Sequence, residues 1–210
     1  IRDYLTKEPT YADIRSVFCG QRPLMKGAGK TAALSRDHQI TVSGSGLISI
    51  TGGKWTTYRR MAEDTVNVAV QRADLPMKPS VTAALPIHGY LEETDFESEL
   101  YYYGTDQEHI LAMVKEEPSL GEQIHDHFPY IKAEIYWAVK EEMCMMIEDF
   151  LARRSRMLFL DAKASAEAAP LVAQLMATLL HKDEVWIRQQ VDAYNLLAKN
   201  YLPTDKSTNV

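Results

Sequence analysis

The sequence has few cysteines and no long apolar run, and these two absences exclude several classes of protein. Its 210 residues include only two cysteines, Cys19 and Cys144. Two are too few for a disulfide framework, which favours an intracellular protein. No apolar stretch approaches the length that spans a bilayer, about 20 residues. The chain begins without Met and without a leader pattern, as a segment of a longer protein would, and we expect a cytoplasmic location.

Negative charge prevails, but it is unevenly distributed. The formal net charge is −6 at pH 7, with +4 on residues 1–75 and −10 on residues 76–210. A basic segment favours an anionic ligand, whereas an acidic one argues against a nucleic-acid surface. We therefore expect no nucleic-acid partner.

Residues 1–75 predict a mixture of strands and helix. Two β-prone runs, 38–42 and 47–51, are separated by a Ser-Gly-Ser-Gly spacer of hairpin length. After Gly52-Gly53, apolar residues recur at helical spacing to about Arg72. Residues 76–90 contain three prolines and are predicted to be a linker.

Residues 91–210 predict an all-α domain, so the predicted fold class is α+β. Asp149 and Arg153 are four residues apart and should pair on one helical face. The segments Met143–Met146 and Tyr101–Tyr103 are expected to fill a core. Spacing, capping residues and prolines predict helices at 105–116, 121–127, 130–142, 148–154, 156–168, 170–180 and 183–200.

Two apparent ligand motifs do not meet their requirements. Gly27–Thr31 resembles a phosphate-binding P-loop, but Leu24 stands where that motif requires its first glycine. His125 and His127 are two residues apart, which does not place them on one helix face, and no Cys/His cluster accompanies them. The sequence therefore predicts no P-loop and no metal site.

The segment Gly52–Thr56 joins the predicted strand to the predicted helix. Glycines let backbone approach a flat ligand, and a helix start presents N–H groups with partial positive charge. Such a junction suits an anion or the electron-rich edge of a flavin. Alternatively, the glycines form only a tight turn, with Thr56 or Thr57 as the helix cap.

Three cations are candidates for a phosphate pocket. Arg22, Arg36 and Lys54 lie beside the predicted strands rather than on a charged helix face. Arginine offers planar two-point contacts to a phosphate. Taken singly, each could equally be a surface charge in an exposed ion pair.

Four segments resemble FAD-dependent glycerol-3-phosphate dehydrogenases, which belong to the D-amino-acid-oxidase-like flavoproteins. The segments are residues 20–24, 34–38, 46–59 and 148–161. The most specific is the run Gly-Gly-Lys-Trp-Thr-Thr-Tyr at residues 52–58.

The resemblance implies a domain organisation and a set of ligand contacts. Residues 1–75 would be the end of an FAD and substrate domain, and residues 91–210 a helical C-terminal cap. The glycine fingerprint for the FAD pyrophosphate is absent, and no catalytic base is identified in this segment. The implied contacts are Arg22, Arg36 and Lys54 for glycerol 3-phosphate, and Gly52, Gly53, Lys54, Trp55 and Thr56 for FAD.

By this resemblance the parent enzyme would oxidise sn-glycerol 3-phosphate to dihydroxyacetone phosphate and pass electrons to a quinone. It would be a homodimer with peripheral membrane contact, and the segment alone would neither retain FAD nor catalyse. One alternative is a related flavin oxidase, which reduces O₂ or acts on an amine or amino acid. Another is a non-catalytic helical interaction module.

Overall fold

The structure, a computed structural model, describes Tyr4, residues 6–21 and residues 37–203. It divides into two compact units. The small unit comprises residues 20–87, and the helical unit comprises residues 1–19 together with 88–210. Residues 1–19 thus pack with the helical unit, whereas composition groups them with the residues that follow.

The small unit contains a two-stranded antiparallel hairpin. Strand β1 spans His38–Val42 and strand β2 spans Ile48–Gly52. The register pairs His38 with Gly52 and Val42 with Ile48. The hydroxyl of Ser43 accepts a hydrogen bond from the backbone of Leu47 at 3.1 Å and tightens the turn. The predicted hairpin is confirmed to within one residue at each strand end.

Helix α1 follows the hairpin and spans Tyr58–Arg72. A short 3₁₀ turn, Trp55–Thr57, separates it from β2. Arg72 lies in the last turn, where a cation complements the helix dipole. Residues 75–87, within the described part of the chain, form neither helix nor strand.

Among its described residues, the helical unit contains five α-helices and shorter helical turns. Its last two helices form a hairpin, because His181 adopts a left-handed conformation and the N–H of Lys182 returns to the carbonyl of Ala177 at 2.9 Å. The helices are α2 (Gln107–Glu116), α3 (Lys132–Glu141), α4 (Met157–Leu160), α5 (Ala162–Leu180) and α6 (Glu184–Lys199).

A continuous apolar core holds α3, α4, α5 and α6 together. Ser165 on α5 and Tyr194 on α6 share a buried hydrogen bond of 2.6 Å across the hairpin. A second, smaller cluster lies beside α2 and includes Ile110 and Leu120. The mainly helical α+β fold class is thereby confirmed. Completely buried side chains of the main core include Ile135, Phe150, Leu151, Leu158, Val172 and Met176.

The predicted break near Pro170 is wrong. Helix α5 is continuous and carries Pro170 inside it. A proline in a helix interior costs about 3 kcal/mol. Its neighbours Ala169, Val172 and Ala173 are completely buried, and we attribute the continuity of the helix to that packing.

Two further predictions of local structure are also wrong. Residues 121–127 do not form a helix, because Gln123 pairs with Ile131 in an antiparallel bridge. The methionines Met143, Met145 and Met146 are exposed rather than buried, and only Cys144 within that run enters the core.

Candidate functional site

The junction between β2 and α1 depends on two glycines in an unusual backbone conformation. Gly52 and Gly53 have φ angles of +77° and +78°. Residues with a Cβ rarely adopt this region. A Cβ on Gly53 would also lie 2.4 Å from the sulfur of Met61 on α1. Both the backbone conformation and the close packing against Met61 therefore favour glycine at residue 53.

The first turn after the glycines is closed by Lys54 and Thr57. The backbone N–H of Lys54 donates to the Thr57 hydroxyl at 3.1 Å, and that hydroxyl donates to the Lys54 carbonyl at 2.9 Å. Thr57 precedes α1 but makes no side-chain cap to it. The first N–H of α1, that of Tyr58, is instead satisfied by the backbone, because it donates to the carbonyl of Trp55 across the 3₁₀ turn.

Lys54 is the uncommitted cation of this junction. Its side chain is exposed and makes no hydrogen bond or ion pair with any residue that the structure describes. The neighbouring arginines differ: Arg59 binds Glu63 at 2.7 Å, and Arg60 binds Asp64 at 3.1 Å. Positive charge at the junction is thus available from Lys54, whereas both arginines are already paired.

An exposed aromatic surface lies next to Lys54. Trp55 is 87% exposed, and its ring centroid lies 6.1 Å from that of Tyr58. Thr56, between them in sequence, is exposed as well. Neighbouring exposed apolar side chains that form one patch are a feature of surfaces that bind a partner or a ligand. The junction thus combines an exposed lysine that has no partner among the described residues with an exposed aromatic surface.

The remaining candidates, Arg22 and Arg36, lie outside the described residues. The proposed three-cation pocket therefore stays a prediction.

In the helical unit, the charged run at residues 148–156 is a network of ion pairs. Arg153 binds Asp149 at 3.2 Å and Glu148 at 2.6 Å, which confirms the predicted pairing of Asp149 with Arg153. The guanidinium of Arg154 contacts Glu142 at 3.0 Å. The run forms a π-helix over Asp149–Arg154, in which Phe150 is completely buried. These contacts are structural.

Sequence analysis missed a buried carboxylate in α3. Glu134 is 1% exposed and accepts hydrogen bonds from the hydroxyls of Tyr102 and Tyr103 and from the backbone N–H of Ile131. Burial raises the pKa of Glu134, although its three hydrogen bonds oppose the shift. A Glu three residues inside a helix start is a capping signal, but its burial against two tyrosines depends on tertiary packing.

Asp161 is the second carboxylate that sequence analysis missed. It caps α5 by accepting from the N–H of Ala164 at 3.0 Å. The same side chain binds Arg15 at 2.8 Å and lies 3.3 Å from the ring of His127. Burial alone would raise the pKa of Asp161, but these hydrogen bonds and the charge of Arg15 outweigh it and lower the pKa. An Asp before an apolar helix was the signal that could have identified the cap.

Membrane spans and metal clusters are two further kinds of site, and the described residues form neither. No helix there is both long enough and apolar enough to cross a membrane. In the same part of the chain, no group of three or more His, Cys, Asp and Glu side chains is placed to hold a metal ion.

The chain is similar to known proteins over most of its length. It is 34% identical to the mitochondrial glycerol-3-phosphate dehydrogenase of Homo sapiens, over 91% of this chain and 30% of that protein. It is 36% identical to the probable mitochondrial glycerol-3-phosphate dehydrogenase of Caenorhabditis elegans, with the same coverage. The chain thus spans about a third of the length of the curated relatives it matches.

A solved structure agrees with these relatives. It is the glycerol-3-phosphate dehydrogenase of Bacillus halodurans complexed with FAD, which matches with a TM-score of 0.65 and 26% identity. The match covers 82% of this chain and 38% of that one. Residues 38–186 match the family model described as the C-terminal domain of alpha-glycerophosphate oxidase. The resemblance to glycerol-3-phosphate dehydrogenases is thereby confirmed, and the chain belongs to the family of C-terminal domains of alpha-glycerophosphate oxidase.

Proposed function

We propose that this chain is the C-terminal part of an FAD-dependent enzyme that oxidises sn-glycerol 3-phosphate to dihydroxyacetone phosphate. The observation that carries the proposal is the junction at residues 52–56, where an unpaired Lys54 follows two left-handed glycines. The relatives named as glycerol-3-phosphate dehydrogenases, and the FAD-bound solved structure, support the same activity.

The residues of the junction fit a flavin and an anionic substrate. The positive end of the α1 dipole and the ammonium of Lys54 favour negative charge, and Trp55 offers an apolar face. FAD, when bound, accepts the hydride equivalent that leaves the substrate alcohol. Lys54 would stabilise negative charge in the ligands as it develops, and the two glycines would let the backbone approach the ring.

Arg22 and Arg36 complete the proposed substrate site. Their part is to bind the phosphate of glycerol 3-phosphate with planar two-point contacts. Arg36 precedes His38 by two residues, and two residues of extended chain reach at most about 7 Å. Because His38 pairs with Gly52, this reach supports a site shared by Arg36 and Lys54.

The proposal also includes the electron acceptor, the oligomeric state, the location and the domains of the parent enzyme. A quinone would accept the electrons, and the parent protein would be a cytoplasmic homodimer with peripheral membrane contact. The curated relatives quoted above carry the word mitochondrial in their names, so location is to be tested separately. Residues 1–75 would belong to the FAD and substrate domain, residues 76–90 to a linker and residues 91–210 to a cap.

The principal experiment follows the flavin absorbance of the full-length protein that contains this segment, without oxygen, as glycerol 3-phosphate is added. Bleaching by this substrate, and not by glycerol or amino acids, is the expected result. Bleaching by an amine or amino acid instead would identify an oxidase of another substrate class. Absence of flavin would favour a non-catalytic helical interaction module.

The test of the junction is Lys54→Met in the same protein. Loss of a charged contact of this kind is expected to reduce kcat/KM for glycerol 3-phosphate about tenfold or more. Lys78→Met is the matched control, because Lys78 is an exposed lysine of the same unit that makes no hydrogen bond or ion pair with a described residue. Equal effects of the two substitutions would remove Lys54 from the site.

A second candidate differs only in the electron acceptor. The family description names an oxidase, which favours O₂, whereas the relatives are named dehydrogenases. Reoxidation of the reduced protein by a soluble quinone or by air separates the two. Rapid reoxidation in air, with hydrogen peroxide formed, would assign the oxidase.

The segment alone provides a further test of the proposal. The purified 210-residue chain is expected to carry no FAD, because the fingerprint for the pyrophosphate is missing. A yellow chain with one FAD per molecule would contradict this.

A further inference from the structure

The helical unit presents a connected set of exposed aromatic rings before α2. Phe96 is 73% exposed, Tyr101 is 43% exposed and Tyr102 is 45% exposed. The ring centroids of Phe96 and Tyr101 lie 5.6 Å apart, and those of Tyr101 and Tyr102 lie 5.5 Å apart. These three rings, here the aromatic patch, therefore form one surface.

A buried carboxylate holds the base of the aromatic patch in place. The hydroxyl of Tyr102 donates to Glu134, which is completely buried, and the hydroxyl of Tyr103 donates to the same oxygen at 3.1 Å. The ring centroids of Tyr102 and Tyr103 lie 4.7 Å apart. Side chains that are already fixed lose less conformational entropy when a partner binds to them.

Exposed carboxylates accompany the aromatic patch, and no lysine or arginine lies near them in the sequence. Residues 79–114 contain neither Lys nor Arg. Phe96 stands between two acidic residues, and Glu99 precedes Tyr101 by two residues. The exposed carboxylates of this segment, none of which forms an ion pair with a described residue, are Glu92, Glu93, Asp95, Glu97 and Glu99.

Rings and carboxylates together favour a cation that also carries apolar surface. The face of an aromatic ring attracts a cation that lies within about 6 Å of its centroid. A bound metal ion does not fit, because the His, Cys, Asp and Glu side chains that the structure describes include no group of three or more that could hold one. Lysine and arginine side chains do fit, since each joins a charged end to an apolar stem. Because the carboxylates extend over residues 92–99, several such side chains in one segment match them best.

We propose that the aromatic patch and its carboxylates are a docking surface for a segment of another protein that is rich in lysine and arginine. The cationic ends of that segment pair with the carboxylates and lie against the rings of Phe96 and Tyr101, while the apolar stems cover the rest of the patch. Docking at this surface is additional to the oxidation of glycerol 3-phosphate and does not depend on it.

The first test measures binding of a fluorescein-labelled octa-arginine peptide to the full-length protein that contains this segment, by fluorescence anisotropy at low salt. Glu97→Gln combined with Glu99→Gln is expected to raise the Kd about threefold to tenfold, because two exposed ion pairs are lost. Glu116→Gln combined with Glu141→Gln is the matched control. Those two carboxylates are also exposed in the helical unit and form no hydrogen bond or ion pair with a described residue.

The second test separates the contribution of the rings from that of the charges. Phe96→Leu keeps an apolar side chain but removes the aromatic face, and it should raise the Kd for the peptide about twofold to fivefold. Phe18→Leu is the matched control, because Phe18 is a similarly exposed phenylalanine of the helical unit whose ring contacts Phe159 instead. Far-ultraviolet circular dichroism checks that every variant is folded.

Several results would overturn the docking surface. Wild-type protein that does not bind the peptide, or a Kd that Phe96→Leu leaves unchanged, would remove the aromatic patch from binding. Equal weakening by the two pairs of Glu→Gln substitutions would assign the binding to the net negative charge of the protein. Spermine that binds as tightly as the peptide would identify a small polyamine, rather than a protein segment, as the ligand.

Discussion

Gly52 and Gly53 show how backbone and ligand requirements coincide at single residues. Their φ angles of +77° and +78° demand glycine for conformational reasons alone. The two interpretations of these glycines, as a tight turn and as a contact to a ligand, are therefore compatible. What distinguishes the junction from an ordinary turn is the unpaired Lys54 and the exposed Trp55 beside it.

The substitution Gly53→Ala should destabilise the small unit. A side chain at φ +78° costs about 1–2 kcal/mol in the free energy of unfolding, and the new Cβ would also displace Met61. Gly44→Ala is the control, because its Cβ would meet nothing within 4 Å and its φ is not positive. Urea unfolding of both variants measures the difference, and equal stabilities would contradict the strained geometry.

The two cysteines should differ sharply in reactivity. Cys19 is exposed, whereas Cys144 is completely buried, and burial raises the pKa of its thiol to about 12. Since the thiolate is the reactive form, a thiol reagent at pH 8 should label one cysteine rapidly and two only in denaturant. Cys19→Ser should abolish the rapid phase. A rapid phase that persists in this variant would show that Cys144 is accessible.

At the scale of elements, the sequence correctly predicted those turns and helix starts that depend on neighbouring residues. The Ser-Gly spacer marked the turn of the hairpin, and the last helix was predicted to begin at residue 183, where Asp183 caps α6 by accepting from the N–H of Trp186 at 2.9 Å. The predictions of secondary structure were wrong where contacts between residues distant in sequence determine the structure. Pro170 lies in a continuous helix, and Gln123 pairs across a loop with Ile131, because packing and long-range pairing override the local preference.

In the candidate site, too, some features depend on neighbouring residues and others on contacts between distant residues. The sequence order of Gly52, Gly53 and Lys54 was enough to predict the junction, since glycine, cation and helix start are adjacent in the chain. The pairing of Arg59 and Arg60 with acids, which leaves Lys54 as the free cation among the described residues there, required coordinates. So did the contact between Arg15 and Asp161, which are 146 residues apart.

Asp161 should be the most sensitive position at the start of α5. Asp161→Ala removes the cap and the bond to Arg15, and it should lower the free energy of unfolding by about 1–2 kcal/mol. Asp161→Asn should lower it less, because asparagine caps equally well. Thermal or urea unfolding at pH 7 measures both, and an alanine variant as stable as the asparagine variant would contradict the role of the cap.

The pH dependence of the Asp161 contribution has a definite sign. The folded state lowers the pKa of this carboxyl below its ordinary value of 3.8. Its contribution is therefore present above that value and is lost as the pH falls through the folded pKa. Asp161→Asn should accordingly reduce the loss of stability on acidification below pH 3.8.

At the scale of the whole molecule, two carboxylates of the helical unit impose opposite pH dependences on stability. Asp161 favours the folded state as the pH rises through the acid range, because its pKa is lowered. Glu134 acts in the other direction, because burial raises its pKa above the ordinary value of 4.5. The contribution of Asp161 is thus gained as the pH rises toward 3.8, whereas that of Glu134 is lost as the pH rises above 4.5.

Glu134→Gln isolates the second effect. In wild type, the folded chain holds the proton of Glu134 more tightly than the unfolded chain, so the free energy of unfolding falls as the pH rises above 4.5. Glutamine carries no such proton, and its amide can donate to Tyr102 and Tyr103 while its oxygen accepts from Ile131. The fall in stability between about pH 4.5 and pH 7.5 should therefore be smaller in the variant.

Urea unfolding across this pH range, followed by far-ultraviolet circular dichroism and tryptophan fluorescence, measures the effect. Two of the three tryptophans, Trp137 and Trp186, report on the helical unit. Glu141→Gln removes an exposed carboxylate from the same helix and should keep the wild-type slope. If Glu134→Gln kept that slope as well, Glu134 would not be the group whose proton is linked to folding. Another titratable group would then cause the loss of stability between about pH 4.5 and pH 7.5.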